Sequence, residues 1–225
     1  MTARNTSRVA IFDLDRTLIR CDSFPTLLNS LLLRNWWRVM GAVLASPVLL
    51  LLWASARTRT ASLSALLWLA TVGMRDEEWA TVVSSQARQL VSDTMNVVNW
   101  DGLRALKEHQ ARGDQVVLVT GSWCDLALAV CDVLGLEGVR VVGSTRRVRM
   151  KGRIADAHCV GARKVEMLRA AGVAPPWSVV YTDSASDLPL LHLGERRCVV
   201  NATSRALRAL NKELGAETLE LVHWR

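Results

Sequence analysis

Two aspartates, Asp13 and Asp15, stand two positions apart directly after a short apolar run at residues 9–12. Thr120, Gly121 and Ser122 follow a second such run at 115–119, and Asp183 and Asp187 follow a third at 178–182. Lys164 lies near the start of a helix-like stretch. Clustered carboxylates repel one another unless a cation sits among them, and magnesium favours one or two carboxylates, waters and a phosphate oxygen. A carboxylate can also attack phosphorus and form an aspartyl-phosphate. Hydroxyls, backbone N–H groups and an ammonium can hold a phosphoryl group by charge and hydrogen bonds. Brought together, these residues therefore suit phosphoryl transfer.

The elements that must gather them follow from the apolar pattern. Residues 9–12, 115–119, 139–143, 178–182 and 198–200 are short, β-branched and apolar, which predicts buried strands. Between them, 102–111, 124–134, 162–171 and 204–214 are predicted helices, and Gly113, Gly135 and Gly172 stand where C-cap glycines belong. Alternating strands and helices predict an α/β fold with a parallel sheet covered on both faces. In such a sheet, ligands bind beyond the carboxyl ends of the strands. That is where all of these polar groups fall.

Residues 22–100 break the rhythm. They contain no strand signal and read as a helical, strongly apolar cap between the first and second strands. The catalytic core is then 1–21 plus 101–225. Residues 144–158 read as a basic β-hairpin turning at Gly152. Arg146, Arg147, Arg149, Lys151 and Arg153 are then solvated or attracted to an anionic surface.

The 225 residues carry 28 Lys and Arg against 21 Asp and Glu, a net charge of +7, which favours an anionic partner. The five cysteines are odd in number and include no CxxC pair, which excludes a disulfide framework and structural zinc. His109, His158, His192 and His223 show no ligand spacing. Cys159 stands beside His158 but has no role beside the carboxylates. Residues 1–8 are polar, so no signal peptide is expected and the amino-terminal part should stay in the cytoplasm.

Asp13-Leu14-Asp15-Arg16-Thr17, then Val119-Thr120-Gly121-Ser122, Lys164, and Asp183-Ser184-Ala185-Ser186-Asp187, taken in order, resemble the four motifs of haloacid dehalogenase-type phosphatases. The resemblance implies a Rossmann-like core with a helical cap and a Mg2+-dependent phosphatase. It makes Asp13 the nucleophile and Asp15 the general acid and base. Thr120 and the Gly121 backbone hold phosphate, and Lys164 steadies nucleophile and phosphoryl group. Magnesium falls to Asp13, the main chain of Asp15 and Asp183, with Asp187 and Thr17 in support. Arg16 departs from the pattern, since glycine is commonest there. It is expected to face solvent, with substrate contact as the other reading.

The cap raises the question of a membrane. Residues 39–56 carry no charge and lie between Arg38 and Arg57; residues 60–74 are also uncharged. A single crossing is excluded, because Asp13 and Thr120 flank the insertion and must share one compartment. A second crossing of 60–74 would be short of the usual ~20 residues. A re-entrant or interfacial helical pair is therefore expected, with arginines and tryptophans at headgroup level. The other reading is a soluble cap. The insertion is similar in composition to the phosphatidylglycerophosphatase C family, which implies a lipid-phosphate substrate, an anionic membrane surface as partner, and the cytoplasmic side of a bacterial inner membrane. The alternative is a cytoplasmic phosphatase of a small metabolite, resembling phosphoserine phosphatases; a non-enzymatic membrane adaptor is a third reading. No nucleic-acid partner is expected, and the oligomeric state stays open.

Overall fold

The computed structural model describes residues 8–55, 58–92 and 97–225. Its sheet has seven strands: β1 Val9–Asp13, β2 Gln115–Trp123, β3 Arg140–Arg149, β4 Gly152–Ala157, β5 Trp177–Thr182, β6 Gly194–Val200 and β7 Glu220–Val222, in the spatial order β4-β3-β2-β1-β5-β6-β7. All neighbours are parallel except β3 and β4. β1 lies between β2 and β5, with Asp13 level with Val119 and Phe12 with Tyr181. Both faces of β1 are covered, as its unbroken apolar run requires. Ala10 and Phe12 join one apolar body with Leu118 and Tyr181; Ile11 joins the other with Val117 and Val180.

Four helices follow β1: α1 Ser23–Leu33, α2 Trp36–Ala54, α3 Arg59–Thr71 and α4 Asp76–Val91. Then come α5 Trp100–Ala111, α6 Cys124–Val133, α7 Ala162–Ala170, α8 Leu188–Leu191 and α9 Ser204–Leu214 among the described residues. Gly113, Gly135 and Gly172 each take a positive φ just past a helix, as expected. Leu27 and Leu31 of α1, Leu67 of α3 and Trp79 and Leu90 of α4 share one buried cluster with Phe12 and Leu118. The insertion is thus welded to one face of the sheet by a common core.

Several expectations are corrected. Strand β3 runs on to Arg149, β6 begins at Gly194, and β7 and α8 carried no sequence signal. The first half of β6 is Gly-Glu-Arg-Arg, partly exposed, so its polar residues hid the strand. The hairpin turns at Met150 and Lys151, whose φ values are 48° and 59°. Gly152 instead begins β4, where a Cβ would collide with the Trp68 ring.

Arg147, Arg149 and Lys151 of the hairpin are solvated, as expected, but Arg146 and Arg153 are not. Arg153 is buried and donates from its backbone N–H to Thr71 Oγ1 at 2.8 Å, from its guanidinium to the Met74 carbonyl at 3.0 Å, and to Asp76. Its guanidinium and that of Arg146 lie 5.1 and 4.6 Å from the Trp79 ring centroid. Arg146 also pairs with Asp125, which accepts from Trp79 Nε1 at 2.8 Å. These cations tie the hairpin to the insertion.

The membrane-pair expectation is likewise halved. The 60–74 run falls largely in α3, where Leu67 and Ala70 are fully buried, and Ser64 of that helix accepts from the β4 residue Ala155. Arg38 is buried rather than at a surface, donating to the carbonyls of Leu31 and Val72. Only α2 stays bare: among its residues only Arg38 is buried. Ala56 of the 39–56 run and the Arg57 that follows it lie outside the described residues.

Trp79→Ala removes a buried ring that both arginines cover. It is expected to lower the unfolding free energy by about 3–5 kcal/mol, read from urea denaturation. Trp79→Phe keeps most of the packing and should cost clearly less.

Candidate active site

The rim at the carboxyl ends of β1, β2 and β5 gathers the sequence-chosen residues. A cleft of about 210 Å³ is lined by Asp13, Asp15, Gly121, Lys164, Asp183 and Asp187, together with Arg16, Asp22, Val160, Ser184 and Ser186. They arrive from separate stretches of the chain. Asp13 ends β1. Asp15 rides the turn that follows, closed by Thr17 and Leu18 N–H groups on the Leu14 carbonyl. Lys164 stands in the first turn of α7, and Asp183 and Asp187 follow β5.

Lys164 is the hub. Its buried ammonium donates to Asp13 Oδ1 at 2.9 Å and to Asp187 Oδ2 at 2.7 Å. Thr182 Oγ1 donates to the same Asp187 oxygen at 2.7 Å. Burial pushes the Asp13 carboxyl well above its ordinary range, against the pull of Lys164. Burial also works against the lysine's charge, but the two aspartates overcome it and raise its pKa. The fold therefore keeps a protonated lysine between two acids.

Asp15 is held by the start of the insertion. Its Oδ1 accepts the backbone N–H of Ser23, the first residue of α1, at 3.0 Å. Ser23 Oγ donates to Ser122 Oγ at 2.7 Å, and Ser122 N–H reaches Thr120 Oγ1 at 2.9 Å. A chain of polar contacts thus runs from β2 to Asp15. Burial raises the Asp15 pKa, and the Ser23 hydrogen bonds pull the other way. Asp183 is pushed up to about 6, by burial first and then by Asp187.

Thr120 and Thr17 are fully buried; neither lines the cleft. Thr17 accepts Asn99 Nδ2 on its carbonyl at 2.6 Å and thus steadies the turn. Arg16 is exposed to solvent, as expected, and it also lines the cleft. It takes φ 59°, uncommon for a residue with a side chain, and its guanidinium grips Asp22 with contacts of 3.1 and 2.6 Å. Cys159 is buried and its thiol is pushed up to about 12, so it is no nucleophile. Ser23 and Asp22 are site residues that sequence reasoning did not place. Ser23 and Ser122 sat in or beside the motifs, but nothing in their spacing announced the contact between them.

The donor set fits a hard divalent cation. Five carboxylates line the cleft against Lys164 and Arg16, and burial already strains the ionisation of three of them. One Asp187 oxygen is buried without a protein partner. Among the described residues no three His, Cys, Asp or Glu side chains form a metal cage.

Comparisons with known proteins agree with this layout. The sequence pattern of haloacid dehalogenase-like hydrolases matches residues 10–192. A hydrolase of Mycobacterium leprae is 26% identical over 218 residues, covering 92% of this chain and 71% of the relative. Phosphoserine phosphatase SerB1 of Mycobacterium tuberculosis is 26% identical over 217 residues, covering 92% and 69%. Among solved structures, a Bordetella pertussis protein with unknown function superposes with a TM-score of 0.72 at 20% identity, over 96% of this chain and 99% of that one. A substrate-bound phosphoserine phosphatase superposes with a TM-score of 0.56 at 13% identity, over 96% and 94%. At these identities the two structures speak for the fold.

Lys164→Met leaves two buried carboxylates facing each other without a cation. Stability at neutral pH is expected to fall by about 3–5 kcal/mol. The folded-state pKa of Asp13 lies above its ordinary 3.8, so protonation on acidification relieves the repulsion and the deficit grows as pH rises above that value. Urea titrations at pH 4.5 and 7 check this; a deficit that is equal at both, or larger at 4.5, contradicts it.

Proposed function

The chain belongs to the haloacid dehalogenase-like hydrolases; from that premise we propose that it is a phosphatase that hydrolyses a small, water-soluble phosphomonoester through an aspartyl-phosphate on Asp13. The observation that carries this reading is the Lys164 ammonium fixed between Asp13 and Asp187, with Asp15 two residues beyond the nucleophile. The relative named phosphoserine phosphatase supports a soluble substrate.

On this reading an Asp13 carboxylate oxygen attacks phosphorus, and the bond from phosphorus to the ester oxygen breaks. Asp15, whose burial favours its protonated form, gives a proton to the departing oxygen. The same carboxylate then takes a proton from the water that attacks the acyl phosphate, releasing phosphate and restoring Asp13. Lys164 orients the nucleophile and offsets charge on the phosphoryl oxygens. The Gly121 backbone lies at the cleft wall, where a side chain would meet Val160. Magnesium, held by Asp13, the Asp15 carbonyl and Asp183, would supply positive charge beside the transferred group.

A second reading, a lipid-phosphate substrate at the cytoplasmic face of a membrane, is favoured by one observation: the bare apolar helix α2. Phosphate release from phosphoserine, phosphatidic acid and phosphatidylglycerophosphate, with magnesium and with chelator, separates the two. Turnover of lipid substrates alone would overturn the first.

Asp13→Asn removes the nucleophile at constant size. It is expected to lower kcat by at least about a thousandfold with the fold retained. Substantial remaining turnover contradicts the aspartyl-phosphate. Ser23→Ala removes the hydroxyl link to Ser122 that fixes the Ser23 N–H on Asp15. Its kcat loss should be large for alkyl phosphates, whose leaving oxygen needs a proton, and small for p-nitrophenyl phosphate. Ser23→Thr should restore activity. Equal losses for both substrates would make Ser23 merely structural.

A further inference from the structure

Helix α2 packs against α3 along one side only. Ser62 Oγ donates to the Leu49 carbonyl at 3.1 Å and Thr58 Oγ1 to the Leu52 carbonyl at 2.6 Å, and Leu69 crowds Gly41. The opposite side carries Trp36, Met40, Leu44, Val48 and Leu51, spaced one helical turn apart and all exposed. Trp36, Leu44 and Leu51 are 78, 76 and 77% exposed. A water-facing helix normally reserves that side for polar residues. Here the stripe is apolar from end to end, with Trp37 and Trp53 also exposed beside it.

The segment that carries it has charge of one sign, although Arg38 is buried and Arg75 pairs with Glu78 of α4. From Ser23 to Arg75 the sequence holds five arginines and no Asp or Glu. A second copy of the chain would bring the same sign of charge against this face. An anionic bilayer offers both acyl surface for the stripe and negative charge for the arginines. Spanning is excluded, although 19 residues make about 28 Å of helix. The strands before and after the insertion pair side by side, Val9 with Gln115, and α3 returns along α2.

We propose that the outward stripe of α2 seats in the plane of an anionic membrane surface and holds the enzyme there as a peripheral protein. Aromatic side chains lie at headgroup depth, and leucine and valine reach the upper acyl region. This docking is independent of which phosphomonoester the cleft takes.

The test is flotation of the intact protein with vesicles of phosphatidylcholine alone or with phosphatidylglycerol added, neither being a substrate of small-phosphate assays. The expected result is binding to the anionic vesicles, weakened by salt, and little binding to the neutral ones. Leu44→Asn with Leu51→Asn should cut partition by at least about tenfold while p-nitrophenyl phosphate turnover and Tm stay unchanged. Binding to both vesicle types alike, or to neither, overturns the proposal. So does a stripe-dependent dimer: a sedimentation-defined dimer that the double variant converts to monomer, without vesicle binding, assigns the stripe to a second copy.

Discussion

The structure turns on one buried ammonium. Lys164 holds Asp13 and Asp187 within hydrogen-bond distance of a single nitrogen, at a place where water cannot share the load. Without it, two carboxylates from β1 and from the segment after β5 would repel each other across the sheet rim. With it, three chain segments far apart in sequence are pinned to one point. Thr182 completes the arrangement by donating to Asp187. The same contact that helps fold the rim also fixes the direction of the Asp13 carboxylate, so stability and reactivity share their origin here.

Around this hub the site is built in two halves. One half belongs to the strand ends and is rigid because β1 is buried between β2 and β5. The other belongs to the start of α1, whose Ser23 N–H meets Asp15. Asp15 is therefore oriented by the insertion rather than by the sheet that carries it. The Ser23–Ser122 hydroxyl contact joins the halves.

What could be read in the sequence follows from where each signal is generated. Short runs of β-branched residues announced β1, β2 and β5, because burial on both faces leaves no room for polar residues. The carboxylates and Lys164 were legible because strand ends are where a parallel sheet gathers its ligands. Strand β7 and the first half of β6 were hidden because they lie at or next to the sheet edge and carry charge. Arg153 and Arg38 were misread as surface groups: a linear pattern shows a cation, not the carbonyls that surround it. The pairing of Arg16 with Asp22 had no periodic signature, since it depends on a left-handed backbone at Arg16. Helix α3 resembled α2 in composition, and only packing separated the buried one from the bare one.

The common core of insertion and sheet has a kinetic corollary. Leu27, Trp79 and Leu90 cannot leave Phe12 and Leu118 without opening apolar surface to water, and Arg153 stitches the same junction from the hairpin side. A swinging, hinge-like gate would have to break that junction at every turnover. Parting the exposed Arg16–Asp22 clasp, which lines the cleft with Val160, would cost far less than moving the insertion. The clasp is the cheapest barrier there to undo, because an exposed ion pair is worth little in water.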